Sequence, residues 1–294
     1  MIRTIRRHPV LQPVLAALTL FAIALPSTAL AAPTRANAPA SVNPVSEASV
    51  LDSLSATIGS RPADATVAAQ PASPANGSGT NVWEGTAAEG AYVRRAPERA
   101  GAPVRQLKAG EAIEVMRWVT GEEVEPNNTT WAELSDGTFV FSTLLRRAPL
   151  SEPPARPADA PESGRWIDVN LTEQVATAYD GATAIRMVLI SAGRPGWDTP
   201  TGTFSIGRRA EKDTMDGSTL IGQGPNGQGA TYKIENVKHV QYFTSDGAAI
   251  HENTWRQAGT FGIPGSHGCI GMTPADAAFF WTFATHGTPV VIHE

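Results

Sequence analysis

The chain of 294 residues holds one cysteine, Cys269, in the stretch IPGSHGCIGM that runs from Ile263 to Met272. A thiol attacks a carbonyl carbon as thiolate, and an ordinary cysteine, with a pKa of about 8.5, is mostly protonated at neutral pH. It therefore needs an imidazole that takes its proton and later returns one to a leaving amine. His267 lies two residues before Cys269 on the same face of an extended segment, but points along a tight glycine turn. His251 arrives from a preceding strand, GAAIHE, and is the better-placed base. Gly265 and Gly268 let the backbone bend so that successive N–H groups converge on one point, the form of an oxyanion site.

Two blander chemistries use the same atoms. A lone cysteine is often an inert, buried apolar group, and by themselves the residues leave a reactive and an inert thiol both open. His251, His267 and Cys269 are also zinc-ligand types, but structural zinc sites usually take four ligands with paired cysteines. This chain offers one sulfur, and His286 and His293 fit solvated or packed roles. Gly222 to Gly227 formally fits G-x-G-x-x-G, yet Pro225, Gly229 and the β-type ATYKI follow where a dinucleotide site needs a helix, so the stretch reads as a loop.

The elements that must position these groups are mostly strands. Ile167, Val169 and Leu171 alternate with Trp166, Asp168 and Asn170. VATAY, Asp180-Gly181 and ATAIRMVLI form a hairpin by the Asp-Gly rule. Further strands are expected at GTFSIG, ATYKI, VQYFT, GAAIHE and TPVVIH. One helix follows the cysteine, with Thr273 as N-cap, Pro274 at the first helical position, Asp276 at the third and Gly287 as its stop.

Upstream, Arg3, Arg6 and Arg7 precede an apolar run from Val14 to Leu25 and the small residues Ala29-Leu30-Ala31. This is the layout of a secretory signal over residues 1–31; the run is shorter than the ~20 residues that span a bilayer. The Arg6-Arg7 pair leaves the export route open. The expected location is outside the cytoplasm: cell wall, periplasm or extracellular space. There, a chain with one cysteine forms no internal disulfide. Residues 32–80, rich in Ala, Pro, Ser and Thr, are expected to be a disordered spacer. Residues 148–163, APLSEPPARPADAPES, are expected to be an extended linker between two domains, 81–147 and 164–294. The net charge of −5 and scattered Lys and Arg exclude nucleic acid as a natural partner.

Between spacer and linker, AYVRR, AGEAIEVMRWV, TWAEL and DGTFVFSTLL are short β-type runs punctuated by Gly110, Gly121 and Asp136-Gly137. With Tyr92-Val93-Arg94 and Trp131, this region resembles a bacterial SH3-like small barrel, which implies cell-wall binding or a spacer role. Tyr92 departs from the family's Asn.

SHGC (Ser266 to Cys269) with His251 upstream resembles the signature of L,D-transpeptidases of the YkuD fold. SAGRPGWDTPTGTF, VQYFTSDGAAIHENTW and TPADAAFFWTFATHGTPVVIHE resemble further segments of that family in order. The resemblance implies a mainly β, sandwich-type catalytic domain with a short C-terminal helix. It further implies an enzyme of cell-wall biogenesis that acts on peptidoglycan stem peptides through a thioacyl-enzyme and forms 3→3 cross-links. Cys269 is then the nucleophile and His251 the proton carrier, with oxyanion donors from the Gly268 and Cys269 N–H groups. Ser266 and His267 shape the turn and support His251, and Tyr242 and Trp255 line the groove. No metal or organic cofactor is required. The chain departs from the family at Gly271, where Asn or Arg is usual, and at Glu252, where a small residue is common and whose carbonyl can orient the imidazole. A hydrolase on the same scaffold and a non-catalytic wall-binding protein are the alternative readings.

Overall fold

The computed structural model describes residues 83–294 except 221, 222, 226 and 228. The expected export signal and spacer, and part of the Gly222–Gly227 loop, lie outside the described residues. The described chain is mainly β.

The N-terminal domain contains β1 (Trp83–Ala87), β2 (Tyr92–Val93), β3 (Arg105–Gln106), β4 (Ala112–Glu125), β5 (Asn128–Leu134), β6 (Phe139–Phe141) and β7 (Leu145–Arg147). Five of them form an antiparallel sheet in the order β6-β5-β4-β1-β7, and β2 pairs with β3. Alternation explains the core: Ile113 and Val115 of β4 point inward with Trp83, Val93, Leu134, Val140 and Leu145. Strand β1, invisible in the sequence because Gly85 and Ala87 carry little apolar mass, takes a central place between β4 and β7. Gly121 does not break the chain as expected. It lies within β4, where a Cβ would come 2.3 Å from the Pro97 carbonyl and 2.5 Å from Trp131. The reversal falls instead at Pro126-Asn127, with Asn127 at φ 60°.

Residues 148–163 are mostly exposed or half-buried, but the segment is anchored at Ala160. Ala160 is buried with Trp166, Tyr179 and Val291, the Trp166 and Tyr179 rings stack at 4.6 Å, and the Trp166 indole donates to the Gly181 carbonyl at 2.9 Å. The linker thus touches the outer face of the strand that it leads into through Ala160 and through Arg156, which lies over the Tyr179 ring at 5.9 Å.

The C-terminal domain has two sheets. The first, in the order β10-β9-β8-β16-β11, joins β8 (Arg165–Asn170), β9 (Val175–Asp180), β10 (Thr183–Leu189), β11 (Gly202–Ser205) and β16 (Pro289–His293), with β16 parallel to β8. The second, in the order β12-β13-β14-β15, joins β12 (Arg209–Asp216), β13 (Lys233–Tyr242), β14 (Ala249–Glu252) and β15 (Ile270–Met272). Helix α1 (Pro274–Phe283) packs against β13, β14 and β15. One core joins both sheets and the helix through Ile167, Val169, Val188, Ile250, Met272 and Phe280.

Two expectations are corrected here, and one strand is added. ATYKI and VQYFT are not two strands: β13 takes in the end of the first and the start of the second, with a bulge at Asn236 and positive φ at both Asn236 and His239. Its partner β12, RAEKDTMD, was unreadable because it is mostly polar, with only Ala210 and Met215 apolar, and only partly buried. Helix α1 begins as expected, with the Thr273 hydroxyl accepting from Asp276 N at 3.2 Å, but ends at Phe283. Gly287, at φ 84°, serves the turn into β16 instead.

Candidate active site

Strands β14 and β15 are neighbours and parallel, with His251 opposite Gly271. Cys269 precedes Gly271 by two residues, and side chains two apart along an extended chain share a face. The register therefore puts Cys269 and His251 on one face of adjacent strands. Cys269 is half-buried, against Ala249, Val240 and Tyr242. Its sulfur lies 4.0 Å from the Gly247 carbonyl, and no hydrogen bond joins it to His251.

His251 is buried, and its Nδ1 lies 2.7 Å from the Glu252 carbonyl. A carbonyl only accepts, so Nδ1 carries the proton and Nε2 presents a lone pair. The Trp255 ring stacks at 5.9 Å on the imidazole and is itself 47% exposed, which makes it one wall of the site. Burial pushes the His251 pKa below its ordinary value, against the opposing pull of the Glu252 carbonyl. Burial also pushes the Cys269 thiol up to about 11, partly countered by the Ala249 N–H. Both groups thus rest neutral at pH 7, as thiol and imidazole.

The turn that carries Cys269 is held by its own residues. The Ser266 hydroxyl donates to the Cys269 carbonyl at 2.5 Å and accepts the Gly268 N–H at 3.1 Å. Gly268 sits at φ 108°, a conformation open essentially to glycine. Its N–H is thereby occupied, a correction to its expected role as an oxyanion donor. The Cys269 N–H has no partner among the described residues and so remains free to donate. Thr199 Oγ1 accepts from Gly193 N at 2.9 Å and donates to the Gly268 carbonyl at 3.0 Å, tying a second loop to the turn.

His267 does not reach His251. Its Nε2 lies 2.9 Å from the Arg194 guanidinium, and its ring packs on Trp197 and Tyr232 at 4.6 and 4.8 Å. A guanidinium only donates, so Nε2 accepts and the ring is the Nδ1–H tautomer. Burial, then the Arg194 charge, pushes its pKa down to about 3, and it stays neutral. Tyr242 joins the apolar cluster beside Cys269, but its hydroxyl donates to Asp213 at 2.9 Å and Arg208 caps its ring at 4.0 Å.

Arg194, Trp197, Thr199 and Tyr232 had no role in the sequence reading. Their one signal was an arginine and a tryptophan within a Gly/Pro-rich loop, a combination too ordinary to single out. Gly271 has a local reason: a Cβ there would come 3.0 Å from Asn253 Nδ2 and 3.2 Å from Asn253 Cβ, so Asn253 fills the room that a larger residue would need. The Glu252 side chain turns to the other face, where it accepts the Lys238 N–H at 3.2 Å.

The model of the L,D-transpeptidase catalytic domain family, YkuD, matches residues 164–292. Among curated proteins, L,D-transpeptidase 3 of Mycobacterium tuberculosis is 29% identical over 107 residues, which are 35% of this chain and 37% of that protein. YciB of Bacillus subtilis, named as an L,D-transpeptidase, is 30% identical over 136 residues, 43% of this chain and 64% of that one. The chain therefore spans less than two thirds of the length of either relative. The solved L,D-transpeptidase from Mycobacterium smegmatis is 27% identical with a TM-score of 0.40, over 45% of this chain and 59% of that one. Residues 164–292 of this chain therefore match the L,D-transpeptidase catalytic domain family, and an N-terminal β domain precedes them.

Proposed function

We propose that the protein is an exported, cysteine-dependent L,D-transpeptidase that acts on peptidoglycan stem peptides. The observation that carries the reading is the β14–β15 register, which brings His251 and Cys269 to one face with the imidazole locked in the tautomer of a base. Because thiol and imidazole rest neutral, the proton passes from sulfur to Nε2 as the sulfur attacks. On binding, the donor peptide turns the thiol from the Gly247 carbonyl toward His251. Sulfur bonds to the acyl carbon at the L-centre of the third stem residue, the amide C–N bond breaks, and His251 returns the proton to the departing D-alanine amine. The Cys269 N–H donates to the carbonyl oxygen in the tetrahedral state. In the second half, the side-chain amine of another stem attacks the thioester, His251 takes its proton, and the thiol is regenerated with a 3→3 cross-link formed.

Residues 81–147 are proposed as SH3-like, and contact with the wall is proposed for them. Water in place of the acceptor amine gives a carboxypeptidase by the same first half-reaction. One solved L,D-transpeptidase is in complex with imipenem, and L,D-transpeptidase 3 of Mycobacterium tuberculosis has been solved with a faropenem-derived adduct; a compound of this kind serves as a probe. The test incubates the full chain with a tetrapeptide donor or imipenem and seeks the adduct by mass spectrometry. An adduct on Cys269 that vanishes in Cys269→Ala is expected; a folded wild type that remains unmodified by both overturns the reading.

A further inference from the structure

The segment that leads into the Cys269 turn is gripped by the N-terminal domain. Ile263, fully buried, belongs to the N-terminal core with Trp83, Val115 and Leu145 rather than to the core of its own domain. One residue earlier, the Trp83 indole donates to the Gly262 carbonyl at 2.6 Å. On the far side of that segment, Gly262 N donates to Ile190 O at 2.7 Å, and Gly265 N and Ser266 N both donate to Ala192 O at 2.9 Å.

A second grip acts on the turn itself. Arg194, 7% exposed, donates through one terminal nitrogen to the Asn127 carbonyl at 2.6 Å and through the other to His267 Nε2 at 2.9 Å. Asn127 is the tip of the β4–β5 hairpin in the N-terminal domain, and it aims its carbonyl from a left-handed backbone at φ 60°. Beside it, Thr120 Oγ1 donates to Pro195 O at 3.3 Å. A planar guanidinium with divergent donors suits such a bridge between two fixed acceptors. The Arg194 backbone N–H also donates to Ser266 O at 3.1 Å, so the bridging residue is itself laced to the turn.

We propose that the N-terminal β domain holds the Cys269 turn in its working shape by clamping both flanks, Gly262-Ile263 through Trp83 and His267 through Asn127 and Arg194, with Arg194 as the positioning residue. The inference rests on the reading of Cys269 as nucleophile. It gives the N-terminal domain a task in the chemistry that is separate from any contact with the wall. A turn released at His267 lets the sulfur and the Cys269 N–H drift from the geometry that acylation needs, and misplacement by about 1 Å costs roughly 100-fold in rate.

The test uses the full chain. Asn127→Gly retains both the carbonyl and the left-handed backbone, whereas Asn127→Pro cannot adopt positive φ and swings the carbonyl away. Expected for Asn127→Pro and Arg194→Ala is a fall of about 10-fold or more in the maximal rate of Cys269 acylation, with the half-saturating donor concentration nearly constant. Asn127→Gly retains the wild-type rate. The double variant is no slower than Arg194→Ala alone, because both changes cut one path. Nitrogen-15 NMR of His267 reads the bridge directly: both damaging variants shift its Nε2 resonance, a change that general loosening elsewhere would not produce. If Asn127→Pro disrupts its domain, Trp83→Phe, which removes the donor to Gly262 and keeps an aromatic ring in the core, tests the first clamp by the same rate in a variant whose melting confirms that it is folded. Wild-type acylation in Asn127→Pro or Trp83→Phe, or an unmoved His267 resonance in Arg194→Ala, overturns the proposal. If the wild type is never acylated, the function fails instead, and the His267 resonance still judges the bridge.

Discussion

Cys269 and His251 are both shaped by burial, which disfavours whichever form is charged. The thiol is pushed up and the imidazole down, so the pair rests uncharged rather than as a preformed ion pair. The acid limb of acylation should therefore fall at a pH below the ordinary histidine value of 6.5, because His251 is an active base until it is protonated. A pH profile of Cys269 acylation measures this, and a midpoint above 6.5 would sink the assignment. His251→Gln should lose about 100-fold or more in the same assay while remaining folded. At this scale the thiol and the histidine that share one face were both singled out in the sequence, because the chain has one cysteine and His251 lies on the strand-like stretch GAAIHE before it. The Gly268 N–H was misjudged because the competing acceptor, the Ser266 hydroxyl, belongs to a turn geometry that residue types do not encode. The partner of His267 was hidden for a similar reason, since Arg194 lies far away along the chain.

Among the elements, the parallel contacts matter most. The β14–β15 pair builds the site, and the β8–β16 pair returns the end of the chain to the first sheet. In the second pair His293 Nε2 lies 3.0 Å from Asp168 Oδ1, and this hydrogen bond raises the His293 pKa above 6.5 against the cost of burial. A histidine with a raised folded-state pKa stabilises the fold fully below its unfolded value, and that stabilisation is lost as pH rises through the folded one. Wild type should thus lose stability relative to His293→Gln as pH climbs from about 6 to 8. Urea midpoints of the two proteins across that range give the difference, and parallel curves would refute the role. Alternation and turn chemistry made β8, the β9–β10 hairpin and the start of α1 readable. They failed at β12, a mostly polar strand whose place is set by its partner, and at β13, whose bulge and positive-φ residues mimic a break.

Across the whole molecule, the boundary between domains is less open than the Pro-rich linker suggests. The linker is anchored on the β8–β9 face at Ala160, and Ile263 sits in the neighbouring domain's core. The Arg147 guanidinium, beneath the Trp83 ring face at 5.4 Å, pairs with Glu173 across the same boundary. Ile263→Ala should cost about 2–5 kcal/mol, the usual range for truncating a buried large aliphatic residue. Its signature should be separation of one unfolding transition into two, because the residue joins two cores. Scanning calorimetry of wild type and variant checks this, and an unchanged single transition at an unchanged midpoint would contradict it.

The sequence by itself determined the chemistry available: one thiol, an imidazole upstream to serve it, a glycine that lets the turn form, and a chain of mainly β elements ended by a capped helix. Those features follow from local propensity, periodicity and side-chain acidity, all carried by neighbouring residues. Only the tertiary structure decided which N–H groups remain free, which carbonyl orients His251, and why Asn253 leaves no ready room for a side chain at Gly271. It also decided that a hairpin tip from the N-terminal domain reaches the turn through Arg194. Each of these depends on two segments far apart in the chain meeting within hydrogen-bond or van der Waals distance, and residue order alone does not state which segments meet.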